Sequence, residues 1–245
     1  MDIKKQDELM RILEKGGITL NGCAVVFRRN EAAWLKGRHG IGGSDAAKTL
    51  GIHGSQAELW AQKCGYIQAK DISSLDVIQY GKKAEGLIAG IYELDHPDSL
   101  LIRYPYWSFC NRENPFMQYT PDGLVIDEHG RLGILEIKTT TIRRGEDWDA
   151  WQNTEENFCV PDHYFCQILH GSNVIPEAEF VDLIALIRHA HGSALKTFRF
   201  EMSDPEVARQ RDILKDYTCS FWESVEKKEY PKVTMIARPS LGLAV

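Results

Sequence analysis

The sequence predicts an α/β protein of the α+β kind, and three observations carry that expectation. Helical periodicity marks both ends of the chain, around Leu9, Ile12 and Leu13 and again after Ser203-Asp204-Pro205-Glu206. Between residues 100 and 138 it gives way to short runs rich in β-branched and aromatic residues, separated by turn formers. A second strand pair, 180–187 and 195–202, brackets His189-Ala190-His191-Gly192. The chain has 245 residues, 43% hydrophobic and 26% charged, an ordinary globular composition with enough length for a sizeable core. No linker, repeat or low-complexity tract divides it. Residues 1–245 therefore read as a single domain, with a helical extension over 1–25 and a loosely held tail over 231–245.

Taken in order, residues 5–15 form a helix closed by Gly16-Gly17, and Asn30 caps a second helix over 31–36. In Arg38-His39-Gly40-Ile41-Gly42-Gly43-Ser44-Asp45 a glycine turn runs into Ser44, the expected N-cap of an Ala-rich helix that stops at Gly51. Backbone N–H groups at such a turn attract phosphate, and Arg38 can add a bidentate contact. The same pattern also serves simply to reverse a chain. Residues 56–63 form a short helix closed by Cys64-Gly65. Residues 75–94 form a longer one that carries Glu85 among Gly81, Gly86 and Gly90. Glycine costs a helix roughly 1 kcal/mol, so the glycines flanking Glu85 point to close packing or ligand approach. His96-Pro97-Asp98 ends this helix, and strands follow over 100–104, 106–109, 116–119, 122–126 and 132–138. Pro161 opens a helix through Tyr164, Gln167 and His170, and the last helix runs from Pro205 to near Glu229.

The formal net charge of −6 argues against coating nucleic acid through bulk charge, but leaves room for a local basic groove. No apolar run approaches the roughly 20 residues of a membrane span. The N-terminal run has no signal-peptide core, so the cytosol is the expected compartment. The six cysteines, Cys23, Cys64, Cys110, Cys159, Cys166 and Cys219, form no CxxC and read as reduced, buried thiols. His163, His170, His189 and His191 stand at no ligand spacing and read as surface or hairpin residues.

The chemistry concentrates in Thr120-Pro121-Asp122-Gly123-Leu124-Val125-Ile126 and Gly133-Ile134-Leu135-Glu136-Ile137-Lys138-Thr139. The polar run 127–131 between them suits a hairpin turn. Strand alternation puts Glu136 and Lys138 on one face and Leu135 and Ile137 on the other. A hairpin brings Asp122 beside Glu136. Two carboxylates and a lysine at a sheet edge suit a divalent ion and phosphodiester hydrolysis. Alone, the Asp…Glu-x-Lys pattern recurs by chance in many proteins. Lys82 and Lys83 read either as DNA-facing or as an ordinary charged helix surface.

Five features in order carry a resemblance: Ile41-Gly42-Gly43-Ser44-Asp45; Ala57-Glu58-Leu59-Trp60; Tyr80-Gly81 with Glu85 after it; Thr120-Pro121-Asp122-Gly123 with Glu136-Ile137-Lys138-Thr139; and Tyr164-x-x-Gln167. In these the chain resembles the lambda exonuclease and YqaJ-type viral recombinase family of PD-(D/E)XK nucleases. The resemblance implies a central mixed β-sheet flanked by helices, with a restriction-endonuclease-like core. It implies Mg²⁺ or Mn²⁺, one or two ions per site, and digestion of linear double-stranded DNA from its ends, 5′ to 3′. The 3′ overhangs would serve phage or prophage recombination with a single-strand annealing protein, in the cytoplasm of a bacterial host. A ring-like homo-oligomer, such as a trimer, is expected. Carried over by residue, Asp122, Glu136, the backbone carbonyl of Ile137 and Glu85 surround the metal. Lys138 orients and activates the attacking water, and Gln167 holds the water, a ligand or a phosphate. Ser44 and Arg38 contact the 5′-phosphate, and Tyr164 shapes the site. Arg143, Arg144 and Trp148 read as DNA contacts or as a solvated loop. Two other readings are a PD-(D/E)XK endonuclease and a DNA-end-binding accessory protein that no longer cuts. The intact Asp122, Glu136 and Lys138 speak against the last.

Overall fold

Two strands with opposite apolar faces fix the architecture. In Leu132–Thr141, Leu132 and Ile134 enter one core while Leu135 and Ile137 enter another. In Phe180–His189, Val181, Leu183, Ala185 and Ile187 alternate in the same way with Phe180 and Ile184. A sheet apolar on both faces must be covered on both. The structure, a computed structural model, describes residues 2–143, 148, 150–151 and 160–231. The expected tail from 232 onward, Cys159 and Arg144 lie outside these residues.

The elements run α1 (Ile3–Lys15), β1 (Cys23–Phe27), α2 (Glu31–Lys36), α3 (Gly43–Thr49), α4 (Gln56–Lys63), α5 (Asp76–Asp95), β2 (Leu100–Ile102), β3 (Trp107–Asn111), β4 (Gln118–Tyr119), β5 (Gly123–Ile126), β6 (Leu132–Thr141), α6 (Asp162–Val174), β7 (Phe180–His189), β8 (Gly192–Glu201) and α7 (Pro205–Lys227). The central mixed sheet has the order β2-β5-β6-β7-β8. Its pairs are antiparallel except β6 with β7, which run parallel through a connection containing α6. Helices α6 and α7 supply the larger core with Phe165, Ile168, Leu169, Val207 and Leu214. On the opposite face α5 supplies Ala84, Ile88, Ala89 and Tyr92 to the smaller core.

The strands expected between 100 and 138 do not all join this sheet. β3 and β4 form a separate three-stranded sheet with β1, in the order β1-β3-β4. β1 begins at Cys23, inside the stretch expected to be a helical extension. Three residues alternate inward there, Cys23, Val25 and Phe27, and so short a run is visible only with its partner. His170 also departs from expectation. It is fully buried, with Nε2 3.1 Å from the carbonyl oxygens of both Ile41 and Gln118, and burial lowers its pKa. No helix of the described residues is long and apolar enough to cross a membrane.

Beneath α5 a buried carboxylate ties helix to sheet. Asp182 on β7 accepts the Tyr92 hydroxyl at 2.5 Å and two N–H groups of Arg199, each at 2.7 Å. The Arg199 guanidinium lies 4.0 Å above the Phe180 ring, and Arg131 5.2 Å from the same ring. Removing one partner leaves a buried charge unmatched. Arg199→Met, which strands the buried Asp182 carboxylate, is therefore expected to cost about 3 kcal/mol in urea unfolding. A loss below about 1 kcal/mol, the scale of an exposed ion pair, would show that this network does not hold α5 down.

Candidate active site

The β5–β6 hairpin turns at Asp127, whose carboxylate accepts backbone N–H groups of His129 and Arg131, and at Gly130, which takes φ 77°. This turn sets a register with Gly123 opposite Leu135, so Asp122 stands opposite Glu136. Asp122 Oδ2 accepts the Ile137 N–H at 2.7 Å. Glu136 is 2% exposed. Its Oε2 accepts the Tyr119 hydroxyl, and its Oε1 accepts Lys138 Nζ and, at 2.5 Å, Gln167 Nε2.

This environment shifts the protonation of Asp122, Lys138 and Tyr119. Burial and the charge of Glu136 push the Asp122 carboxyl well above the usual carboxylate range, against the pull of Lys138. Burial opposes the charge on Lys138, but Glu136 and Asp122 outweigh it and its pKa rises. Burial and the neighbouring Glu136 likewise raise Tyr119 well above a free phenol.

The remaining expected residues divide. On α6, Tyr164, Gln167 and Gly171 share one face at i, i+3 and i+7. Gln167 reaches Glu136, and the Tyr164 ring lies 5.3 Å from Lys138 Nζ. Arg38, Gly42, Ser44, Glu85, Asp122, Glu136, Lys138 and Gln167 all line one cleft of about 1250 Å³. Lys48, Lys63, Lys70 and Lys82 line it as well, together with Glu31, Asp45 and Glu58, so the lining mixes both charges. Arg38 lies over the Trp34 ring at 4.8 Å. Glu85 is engaged by Arg103, whose Nη2 donates to it at 2.5 Å while Nε donates to the Asp122 carbonyl at 2.8 Å. Among the described residues, no three His, Cys, Asp or Glu side chains gather as a metal cage. Arg143 is exposed, and Trp148 lies against Lys196 and His189; neither lines the cleft. Arg144 lies outside the described residues.

Ser44 does not cap α3. The helix begins at Gly43 with Gly42 as N-cap, and the Asp45 carboxylate receives the Gly42 N–H at 3.3 Å while pairing with Lys63 at 2.8 Å. The early start has a packing reason. A Cβ on Gly43 would stand 2.9 Å from both Gln167 and Tyr119, and one on Gly171 2.7 Å from the Tyr119 ring. Glycine at both positions lets α3 and α6 close on the tyrosine. Tyr119, Arg103 and Gly171 belong to this arrangement without any motif in the sequence to mark them. Tyr119 lies three residues before Asp122, a proximity that hints at its place; Arg103 is marked only by the β2–β5 register.

A mixed sheet that presents Asp122 and Glu136-Ile137-Lys138 from one hairpin, with helices on both faces, is the central mixed sheet flanked by helices that the sequence predicts. The chain belongs to the YqaJ-like viral recombinase domain family, whose model matches residues 33–174. It is 27% identical over 169 residues to the uncharacterized protein YqaJ of Bacillus subtilis, a match covering 64% of this chain and 47% of that one. The chain thus spans about half the length of this curated relative. Its fold is shared with an alkaline exonuclease from Laribacter hongkongensis, at a TM-score of 0.57 and 14% identity over 81% of this chain and 94% of that one. The same exonuclease in complex with dAMP superimposes with a TM-score of 0.57 and 15% identity, over the same shares of the two chains.

Two predictions follow from this packing. Gly171→Ala drives a methyl into Tyr119 and is expected to cost about 2 kcal/mol, the scale of overpacking, in urea unfolding; an unchanged midpoint would show that the ring yields freely. The second concerns His163, which stacks on His53 at 4.0 Å and adjoins the Tyr164 ring. Burial, then His53 and Lys138, push its pKa from 6.5 down to about 4. The unfolded chain binds a proton in that window which the folded chain refuses, so stability should fall as pH drops from 6.5 toward 4. His163→Gln should flatten that slope in pH-resolved thermal melts; a slope equal to wild type would assign it to other groups.

Proposed function

We propose that this chain is a metal-dependent deoxyribonuclease that degrades linear double-stranded DNA from its ends, 5′ to 3′, and leaves 3′ single strands for annealing. The observation that carries the reading is the opposition of Asp122 and Glu136 across the hairpin, beside Lys138, in a cleft that also holds Arg38 and Ser44. Burial and the neighbouring Glu136 disfavour the charge on Asp122 even with Lys138 beside the pair, so a divalent ion has a site where its charge would be matched. Their hard oxygens, with the Ile137 carbonyl, fit Mg²⁺ or Mn²⁺ with waters completing the shell. Such an ion supplies charge neutralisation for the phosphate and the departing oxygen. Glu85, held by Arg103 on the same side of the cleft, would add its carboxylate to the surroundings of the ion from α5.

Lys138 keeps its proton near neutral pH, so it holds and polarises the attacking water by donation. Gln167, locked to Glu136, keeps that carboxylate oriented and offers its amide to the water or a phosphate. Arg38, splayed over Trp34, and the exposed Ser44 receive the 5′-phosphate, and Tyr164 forms the wall behind Lys138. Attack at the next phosphate then releases the first nucleotide through its 3′ oxygen. The overhang is the substrate a single-strand annealing protein requires. Family membership and the shared fold with an alkaline exonuclease support this reading.

The test compares end-labelled linear duplex with covalently closed duplex in Mg²⁺. Digestion of the linear form alone, with 5′ label released first as mononucleotide, is the expected result. Equal digestion of the closed circle would make the protein an endonuclease, and binding of ends without cutting would make it an accessory protein. Lys138→Ala should lower the cleavage rate by about 100- to 1000-fold, the scale of one lost donor at a developing charge. A wild-type rate in that variant would remove Lys138 from the chemistry.

A further inference from the structure

We infer, on the basis of the metal-dependent site proposed above, that Tyr119 sets the cation preference of that site. By holding one oxygen of Glu136, it leaves this carboxylate a single oxygen to give. A site built of single oxygens favours Mg²⁺ over Ca²⁺. Tyr119 acts through Glu136 and is therefore a positioning residue.

The two oxygens of Glu136 are not equivalent. Oε2 accepts the Tyr119 hydroxyl, whereas Oε1 accepts both Lys138 Nζ and Gln167 Nε2. The donors differ in how far they can move. Tyr119 is buried, and its ring is clasped between Gly43 and Gly171, where a Cβ would stand 2.9 and 2.7 Å from it. It also meets His170 edge-on, with ring centroids 6.5 Å apart. A ring so enclosed keeps its hydroxyl on Oε2. Lys138 and Gln167 are longer, more flexible side chains that line the cleft, and they are the two donors assigned to the attacking water. Oε1 is thus the oxygen whose partners can yield.

The neighbouring ligands are limited in the same way. Asp122 Oδ2 accepts the Ile137 N–H at 2.7 Å, which leaves Oδ1 to give. In a strand the N–H and C=O of one residue point to the same side, so the Ile137 carbonyl is directed toward Asp122 as well. Continuing the β5–β6 register sets Pro121 opposite Ile137. Proline has no N–H with which to occupy that carbonyl, and its own oxygen accepts Trp107 Nε1 at 3.0 Å. Asp122, Glu136 and Ile137 each present one oxygen, half of an octahedron that waters complete. Mg²⁺ demands that geometry and keeps several waters, while Ca²⁺ takes six to eight oxygens and often draws both from one carboxylate. Fixing Oε2 costs Ca²⁺ a ligand and costs Mg²⁺ none.

Bound Mn²⁺, read by electron paramagnetic resonance on the full chain without DNA, reports the preference through competition. In the wild type Mg²⁺ should displace Mn²⁺ at a lower concentration than Ca²⁺ does; the reverse order would overturn the proposal. Tyr119→Phe keeps the ring and removes the donor, with circular dichroism checking the fold. Its Mg²⁺ affinity should fall about tenfold relative to its Ca²⁺ affinity, the low end for losing a group that orients a metal ligand. A merely structural loss would weaken both ions together, and an unchanged ratio in Tyr119→Phe would strike out Tyr119 alone. A wild type that binds no Mn²⁺ would remove the site itself and the proposed function with it. Infrared difference spectra of the wild type, Mg²⁺-loaded minus metal-free, need no variant. They should show the wide separation of antisymmetric and symmetric stretches that marks one-oxygen carboxylates, and the narrow separation of two-oxygen ligation would overturn the proposal.

Discussion

A carboxylate in the middle of a sheet, almost closed to water, must be matched group for group, and Glu136 is such a carboxylate. Its three partners come from three places: Tyr119 from β4, Lys138 from two residues along its own strand, and Gln167 from α6. Each partner fixes the element that carries it. The helix over the larger core cannot slide without stranding Gln167, and the short β4 cannot peel away without exposing a charge. Packing of the large apolar residues tolerates small rearrangements; a buried ionic cluster does not.

The smaller sheet makes sense in that light. β4 has two residues, too few to hold itself. It is fastened by β3, by the bridge from Met117 to Ile41, and by His170 reaching the carbonyls of Ile41 and Gln118. Trp107 donates to the Pro121 carbonyl at 3.0 Å and Trp34 to the Thr120 hydroxyl at 3.3 Å. The segment between Tyr119 and Asp122 is thus anchored at nearly every step. The β1-β3-β4 sheet is a buttress for one tyrosine and one aspartate rather than an extension of the central sheet. The glycine turn before α3 belongs to the same construction through Gly43, whatever Arg38 and Ser44 bind.

Local signals were readable and non-local ones were not. The hairpin was legible because alternation and a polar turn lie within about twenty residues of each other. The helices expected at 56–63, 75–94 and from Pro205 to near Glu229 form within a residue or two of those bounds, at 56–63, 76–95 and 205–227. β1 was not legible, because three inward residues gain meaning only from β3, some eighty positions away. The same limit hid Arg103, whose link to both Glu85 and Asp122 exists only in the β2–β5 register, and it hid the burial of His170. Ser44 misled for a different reason. Its chemistry suits a cap, but the close approach of Tyr119 and Gln167 to Gly43 set where the helix begins. Arg38, Ser44 and the Asp122–Lys138 hairpin, legible separately, share one cleft, a fact no short-range pattern contains.

The two hairpins of the central sheet close through short turns, whereas β6 meets β7 only after the chain has travelled from Thr141 to Phe180. Bringing Asp122 opposite Glu136 closes only a short loop, whereas pairing β6 with β7 closes a longer one at a somewhat greater cost in chain entropy. The helix carried by that longer connection is the one that bears Gln167, so the element that covers Glu136 also brings it a hydrogen-bond donor.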